Sequence, residues 1–121
     1  MMRHIKRWFA IRSYVTRLSG DLAHRVGVQP SYTVEQVTQA AERGGFTAVF
    51  IAYAHATFCS RRGFDAHYHE LGVACTYDGL RSVVARRYFR GSIRFDAASV
   101  IRTYRRQRYA EEASFDDSAE G

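Results

Sequence analysis

The sequence predicts an all-α protein, a compact bundle of five or six short helices around a central apolar helix. Three observations support this class. The chain contains a single proline, Pro30, its apolar residues recur at spacings of three and four, and Ser, Thr or Asp precedes several apolar stretches as a helix cap does. With 121 residues the chain has the size of one domain, so we assign residues 1–110 to a single helical domain.

The first predicted helix covers about residues 2–19. Projected at 100° per residue, its apolar residues share one half of the helix surface: Leu18, Ile11, Leu22, Val15, Trp8, Ile5 and Phe9. The opposite half is mostly basic and contains Lys6, Arg7, Arg3, Tyr14 and Arg17. We expect the helix to end in the region marked by Gly20, Gly27 and Pro30.

A second helix is predicted to begin after Thr33, which has Gln36 three residues later. In this capping-box arrangement each side chain accepts a hydrogen bond from a free backbone N–H at the helix start. Gly44 and Gly45 predict the end of the helix, and its buried stripe is formed by Val34, Val37 and Ala41.

The third predicted helix starts at Phe46 and Thr47 and runs to about Cys59. It is apolar nearly all round between residues 49 and 54, so we expect the other helices to surround it. Its β-branched and aromatic residues leave a buried strand as the alternative interpretation.

Three more helices are predicted from cap and stop residues. The fourth helix runs through His69 and ends at Gly72, and the fifth ends at Gly91. The sixth has Phe95 and Val100 at the positions of a hydrophobic staple. Their N-caps are, in chain order, Ser60, Asp78 and Asp96.

The charges of the chain divide sharply between its body and its C-terminal end. Arginine supplies 17 of the 18 basic side chains, and Lys6 is the only lysine. Residues 1–110 carry a net charge of +11, whereas residues 111–121 contain five acids and no base. Phe115 is the one large apolar residue of this end, so we expect 111–121 to be an acidic disordered tail. A tail that folds back on the basic domain is the alternative.

The sequence favours a cytoplasmic location. Cys59 and Cys75 are too few for a disulfide framework. The apolar residues 8–11 form too short a stretch for a signal peptide, and no apolar segment approaches the length of a membrane span.

A group of short sequence elements within residues 50–89 resembles a family of small uncharacterised bacterial proteins, a domain of unknown function. These elements are Ala52-Tyr53-Ala54, Phe58-Cys59-Ser60, Phe64-Asp65, Tyr77-Asp78 and Tyr88-Phe89. The resemblance implies a small intracellular bacterial protein with no assigned activity, so it supplies no catalytic residues.

Candidate chemical groups are few. The two cysteines with His67 and His69 are potential zinc ligands, but their spacings match no common zinc motif, and the two histidines would point about 200° apart on a helix. His55 lies four residues before Cys59, which places an imidazole within helical reach of a thiol. The sequence has no nucleotide-binding loop and no hydrolase nucleophile motif. We therefore expect no catalytic, cofactor or metal site.

Arginine clustering predicts a binding surface. Arg86 and Arg90 share one helical face, as do Arg102, Arg105 and Arg106, and we expect this arginine-rich face to bind an acidic partner protein. A nucleic acid is the alternative partner, because phosphates suit the arginines and the interleaved tyrosines can stack on bases.

A third possibility concerns the amphipathic first helix. Trp8 on its apolar half and the basic Lys6 and Arg7 suit contact with an anionic membrane surface or with a partner protein. Docking of this helix on its own domain is the competing interpretation, because a small domain needs that apolar area for its core.

Overall fold

The computed structural model of the protein describes residues 2–105, with side chains from residue 5 onward. Its helices are α1 (Met2–Ser13), a π-helical segment (Tyr14–Leu18), α2 (Ser19–Val26), α3 (Val34–Arg43), α4 (Ile51–Phe58), α5 (Arg61–Leu71), α6 (Tyr77–Tyr88) and α7 (97–105). If the unbroken run 2–26 counts as one helix, the described residues contain six, and the predicted all-α class is confirmed. The predicted acidic tail, 111–121, lies outside the described residues.

The first helix is longer than predicted. It continues through Gly20 to Val26 and ends at Gly27, whose φ of 99° stops the helix. A glycine within a helix costs about 1 kcal/mol relative to alanine. That cost is outweighed here because Leu18 and Leu22, on either side of Gly20, are fully buried.

The π-helical segment explains which side chains of this helix are buried. Between residues 10 and 23 the buried side chains form adjacent pairs that repeat every four residues. A regular α-helix has 3.6 residues per turn, so a four-residue repeat would drift around its surface. The wider π turn offsets this drift and keeps the pairs on one side. Tyr14, predicted on the basic half, is therefore buried, and its hydroxyl donates to the carbonyl oxygen of Thr47 at 2.5 Å.

At the start of α1, by contrast, two apolar side chains are exposed to solvent. Ile5 and Phe9 belong to the predicted apolar half, but they are 55% and 65% exposed, whereas most of that half is buried. The projection assumed a regular helix throughout, and the π segment changes how residues before Tyr14 relate to those after it.

The predicted capping box of α3 is confirmed. The Thr33 hydroxyl accepts from the Gln36 N–H at 3.1 Å, and the Gln36 side chain accepts from the Thr33 N–H at 3.0 Å. Val37 and Ala41 face the core, and the helix ends with the Gly44 N–H donating to Ala40.

Helix α4 is the central element of the bundle, as predicted, and it is not a strand. All its residues from Ala54 to Phe58 are buried, and it packs against α3, α5, α6 and the π segment. Its predicted start at Thr47 is wrong, because residues 48–50 form a turn and the helix begins at Ile51. The Thr47 hydroxyl accepts from the nearby Val49 N–H at 3.3 Å rather than capping a helix.

Two of the three remaining predicted caps are confirmed. Ser60 accepts from the Gly63 N–H at 3.1 Å, and Asp96 accepts from the Ser99 N–H at 2.7 Å. The predicted cap of α6 at Asp78 is wrong. Thr76 caps this helix by accepting from Gly79, whereas the Asp78 carboxylate forms an ion pair with Arg61 at 2.6 Å.

A buried arginine joins the last part of the chain to the core. Arg81 is 5% exposed, and its guanidinium donates to the carbonyl oxygens of Ala56 at 2.8 Å, of Ile93 at 2.8 and 3.1 Å, and of Phe95. The Phe95 ring also lies against the guanidinium, at 3.8 Å from its centroid. Burial lowers the pKa of Arg81 from its ordinary value, but a guanidinium keeps its charge in proteins. These bonds fix the 92–96 loop and hence the position of α7.

Candidate functional site

The predicted arginine-rich face lies along the outer sides of α6 and α7. Arg90 does not share a helical face with Arg86 as predicted, because α6 ends at Tyr88 and Arg90 lies in the turn that follows. We call its exposed members, Arg86, Arg90, Arg102 and Arg105, the arginine surface. Both helices turn apolar side chains inward, with Val84 and Val100 fully buried. Arg106, the fifth predicted member, lies outside the described residues. The exposure of the other four agrees with an outward face, and their role in binding stays a prediction.

The turn between α6 and α7 holds the two parts of the arginine surface in a fixed arrangement. Phe89 and Phe95 stack with their ring centroids 4.4 Å apart, and the Gly91 N–H donates to the carbonyl oxygen of Ala85 at 2.9 Å. Arg90 adopts a left-handed backbone conformation with φ of 55°. The end of α6 and the start of α7 are therefore ordered by packing and by backbone hydrogen bonds.

The positive charge of the arginine surface is not neutralised within residues 5–105. In that part of the chain the one ion pair joins Arg61 to Asp78, and no carboxylate pairs with the arginine surface. The sequence from 81 to 108 contains nine arginines and a single acid, Asp96. The Asp96 carboxylate already caps α7 through the Ser99 N–H. Within the described residues, no carboxylate therefore competes with an external anion for the arginine surface.

The tyrosines near the arginine surface are engaged in packing. Tyr88 and Tyr104 are half-buried, and their rings meet edge to face with centroids 6.1 Å apart. Burial raises the pKa of Tyr104. Because each ring packs on the other and on the core, less ring surface remains for stacking on a base.

A cleft of about 300 Å³ lies beside the arginine surface, and we call it the Trp8 cleft. Its walls are formed by Ile5, Trp8, Phe9, Arg12, Arg87 and Tyr88. The predicted membrane-contact residues take different places here, because Lys6 is exposed whereas Arg7 and Trp8 are half-buried. The guanidinium of Arg87 lies 5.9 Å from the centre of the Trp8 ring. Trp8 thus packs partly against the core, and the exposed apolar side chains of this cleft are Ile5 and Phe9.

On another side of the protein, a polar groove of about 910 Å³ runs between α3 and α5. Glu35, Glu42 and Glu70 contribute carboxylates to its walls, and the described lining contains no lysine or arginine. His67, half-buried on α5, also lines it. The charge of this groove is thus opposite to that of the arginine surface.

A buried hydrogen-bond network lies beneath this groove. His55 is 2% exposed, with Nε2 2.8 Å from the Thr38 hydroxyl and Nδ1 2.6 Å from the Tyr68 hydroxyl. Burial, together with the ring of His67 at 5.4 Å, lowers the pKa of His55 to about 4. A neutral imidazole offers one donor and one acceptor nitrogen, so both hydroxyl contacts are satisfied in the uncharged state.

The thiol that lies four residues after His55 is not activated by it. Both ring nitrogens of His55 contact hydroxyl groups, and burial raises the pKa of Cys59 to about 12. Cys59 and Cys75 are free thiols. His67 lies in the polar groove, whereas His69 is exposed, and within the described residues no three His, Cys, Asp or Glu side chains are placed to hold a metal ion.

No described helix combines the length and the apolar character that crossing a membrane requires.

Sequence reasoning missed the buried position of Arg81, although the pattern contained a signal. Arg81 lies four residues after Tyr77 and three before Val84, on the inward stripe of α6. Ile5 and Phe9 lie at one edge of the apolar half in the 100° projection, and that projection does not include the π turn.

Comparison with known proteins supplies a family. No curated protein and no solved structure matches the chain. The expected likeness to a domain of unknown function is confirmed, and it extends from the middle third to the whole sequence. Since its family model matches residues 1–121, the chain belongs to DUF6559, a family of unknown function.

Proposed function

We propose that this protein is a small non-catalytic interaction protein of the bacterial cytoplasm that binds an acidic partner protein through the arginine surface. One observation carries the proposal. The exposed arginines on α6 and α7 form no ion pair with any carboxylate in residues 5–105, although the turn between the helices is well packed. Ordered positive charge without an internal partner suits an external anion.

The residue type supports a carboxylate partner. A guanidinium is planar and can donate two parallel hydrogen bonds to one carboxylate, which an ammonium group cannot do. Residues 81–108 contain nine arginines and no lysine. Asp and Glu side chains on a partner helix or loop would match this arrangement.

The packing of the tyrosines favours a protein over a single-stranded nucleic acid. Single-strand binders combine basic grooves with exposed aromatic rings on which bases stack. Tyr88 and Tyr104 pack against each other instead. Binding of phosphates by arginine alone remains the alternative, and the experiment below separates the two.

The cytoplasmic and non-catalytic parts of the proposal rest on the interior groups. Cys59 and Cys75 are free thiols, which suits a reducing compartment. Burial keeps the Cys59 thiol protonated, and both nitrogens of His55 are occupied, so neither group is poised for nucleophilic or acid–base chemistry.

The test measures fluorescence anisotropy of a fluorescein-labelled peptide of alternating Glu and Gly residues. The binding variant combines Arg86→Gln, Arg102→Gln and Arg105→Gln. It leaves Arg90 unchanged because of its left-handed backbone. We expect this variant to bind the peptide at least about tenfold more weakly, since three charge-assisted contacts are removed.

A matched control variant removes the same charge from other helices. Arg25, Arg43 and Arg62 are also exposed, and their replacement by Gln should change the affinity by less than about twofold. Equal losses in the two variants would mean that net charge and not this surface binds. Tighter, strongly salt-dependent binding of a single-stranded oligonucleotide of equal charge would replace the acidic protein with a nucleic acid as the partner.

A further inference from the structure

The Trp8 cleft combines exposed apolar side chains with two arginines. Ile5 and Phe9, one turn apart on α1, are both more than half exposed. Arg12 and Arg87 line the same cleft, and neither forms an ion pair within residues 5–105. An occupant that fits this cleft must therefore offer an apolar group together with acids.

The described part of the chain ends beside this cleft. Tyr104, in the last turn of the described α7, contacts Tyr88, and Tyr88 lines the Trp8 cleft. Phe115 lies ten residues beyond Arg105, the last described residue. Ten residues span up to about 35 Å when extended, so Phe115 is within reach of the cleft.

The chemistry of residues 111–121 matches the cleft. This segment has five carboxylates, no base and one large apolar side chain, Phe115. The carboxylates complement Arg12 and Arg87, and the phenyl ring complements Ile5 and Phe9.

We propose that residues 111–121 bind in the Trp8 cleft of their own chain, with Phe115 against Ile5 and Phe9 and the acids facing Arg12 and Arg87. The segment needs no fold of its own for this, because the cleft supplies the apolar surface that the segment lacks. This contact is distinct from the proposed function, since it uses another surface and another occupant.

Covalent linkage makes such a contact effective even when each interaction is weak. A segment that is covalently joined near its binding site has an effective concentration of about a millimolar there. The bound segment covers the exposed apolar pair, so it keeps this end of α1 from lipid surfaces and from other chains. The acidic segment thereby acts as an internal competitor for any ligand of the Trp8 cleft.

Trp8 reports directly on this contact because it is the only tryptophan of the chain and lies in the cleft. The experiment measures quenching of Trp8 fluorescence by acrylamide in the full chain. Two full-length variants are compared with it: Phe115→Ser, and a variant in which all five acids of residues 111–121 become the corresponding amides. If the segment occupies the cleft in most molecules, the quenching constant should rise about twofold in each variant.

Three controls decide the interpretation. Glu35→Gln, Glu42→Gln and Glu70→Gln lie in the polar groove, which shares no lining residue with the Trp8 cleft, and they should leave the quenching constant unchanged. Added salt should raise quenching in the unmodified chain but not in the amide variant. Circular dichroism should show the same helix content in all variants.

The proposal is overturned if neither segment variant alters the quenching of Trp8. It is also overturned if protection of Trp8 depends on protein concentration, because the occupant is then a second copy of the chain. Neither result depends on the acidic peptide used above, so failure here and failure of the proposed function are separate outcomes.

Discussion

The two sides of α6 use the same residue type in opposite ways. Arg81, on the inner side, is buried and donates to carbonyl oxygens of three residues from α4 and the 92–96 loop. Arg86, little more than one turn later, is exposed and has no ion pair within residues 5–105. One arginine is satisfied by the fold, and the other forms no ion pair within the described residues.

This difference separates an arginine that stabilises the fold from one that we propose binds a partner. Arg81 and Arg86 are the same residue type with the same charge, so their positions on the helix decide their roles. Removing the inner side chain should lower the free energy of unfolding without altering an exposed surface. Removing the outer side chain should alter the exposed surface and leave the free energy of unfolding nearly unchanged. Four predictions test and extend this contrast.

The largest effect is expected from Arg81→Met. Methionine fills part of the volume but leaves the buried carbonyl oxygens of Ala56, Ile93 and Phe95 without their donor. Hydrogen bonds from charged groups and the cost of unsatisfied polar atoms together predict a loss of about 3 kcal/mol or more in the free energy of unfolding. Urea unfolding followed by circular dichroism measures it. A loss below about 1 kcal/mol would contradict the structural role of Arg81.

The second prediction concerns a buried group that, unlike arginine, can lose its charge. The pKa of His55 is about 4 in the folded protein, below the ordinary value of 6.5, so between these pH values the unfolded chain binds a proton that the folded chain does not. The free energy of unfolding should therefore fall as pH falls from 6.5 towards 4, by up to about 3 kcal/mol. Urea unfolding across this range measures the slope.

His55→Gln supplies the control for that slope. Glutamine can exchange hydrogen bonds with the Thr38 and Tyr68 hydroxyls but does not titrate. The variant should be less stable at pH 7 and should lose most of the pH dependence between 4 and 6.5. An unchanged slope would assign the dependence to other groups.

A third, smaller effect should identify the cap that starts α6. Thr76→Ala should cost about 1 kcal/mol, because the Gly79 N–H loses its acceptor. Asp78→Ala removes an exposed ion pair and should cost less. Thermal unfolding of both variants shows which substitution destabilises the protein more. A larger loss of stability for Asp78→Ala would mean that Asp78 caps the helix, as the sequence predicts.

The smallest stability effect is expected at the outer side of α6. Arg86→Gln should change the free energy of unfolding by less than about 0.5 kcal/mol, because the side chain is exposed and outside any ion pair in the described residues. The same variant should still weaken acidic-peptide binding in the anisotropy assay. Strong destabilisation would show that Arg86, like Arg81, belongs to the fold.

The sequence predicts the local features of this fold well. The caps at Thr33, Ser60 and Asp96 follow from side chains that bond a backbone N–H three residues away. The central position of α4 follows from its apolar surface all round. These features depend on neighbours in the sequence, so a single chain is enough to read them.

Features that depend on distant contacts were predicted less well. Thr47 resembles a cap in sequence, but its carbonyl oxygen accepts from Tyr14 and the helix starts four residues later. Asp78 is a good capping residue that is engaged with Arg61 instead. Arg81 acquires its role from carbonyl groups far along the chain. For the candidate site, sequence locates the outward arginines, whereas the Trp8 cleft depends on how α1 packs.

The π-helical segment places a constraint on chain length as well as on residue type. It accommodates one more residue than a regular turn, and one residue corresponds to about 100° of rotation around a helix axis. Deleting a single residue within Tyr14–Leu18 would therefore change the rotational phase of all of α1 relative to α2. Ile5, Phe9 and Arg12 would turn away from Arg87 together, and the Trp8 cleft would lose one wall without a single substitution in it.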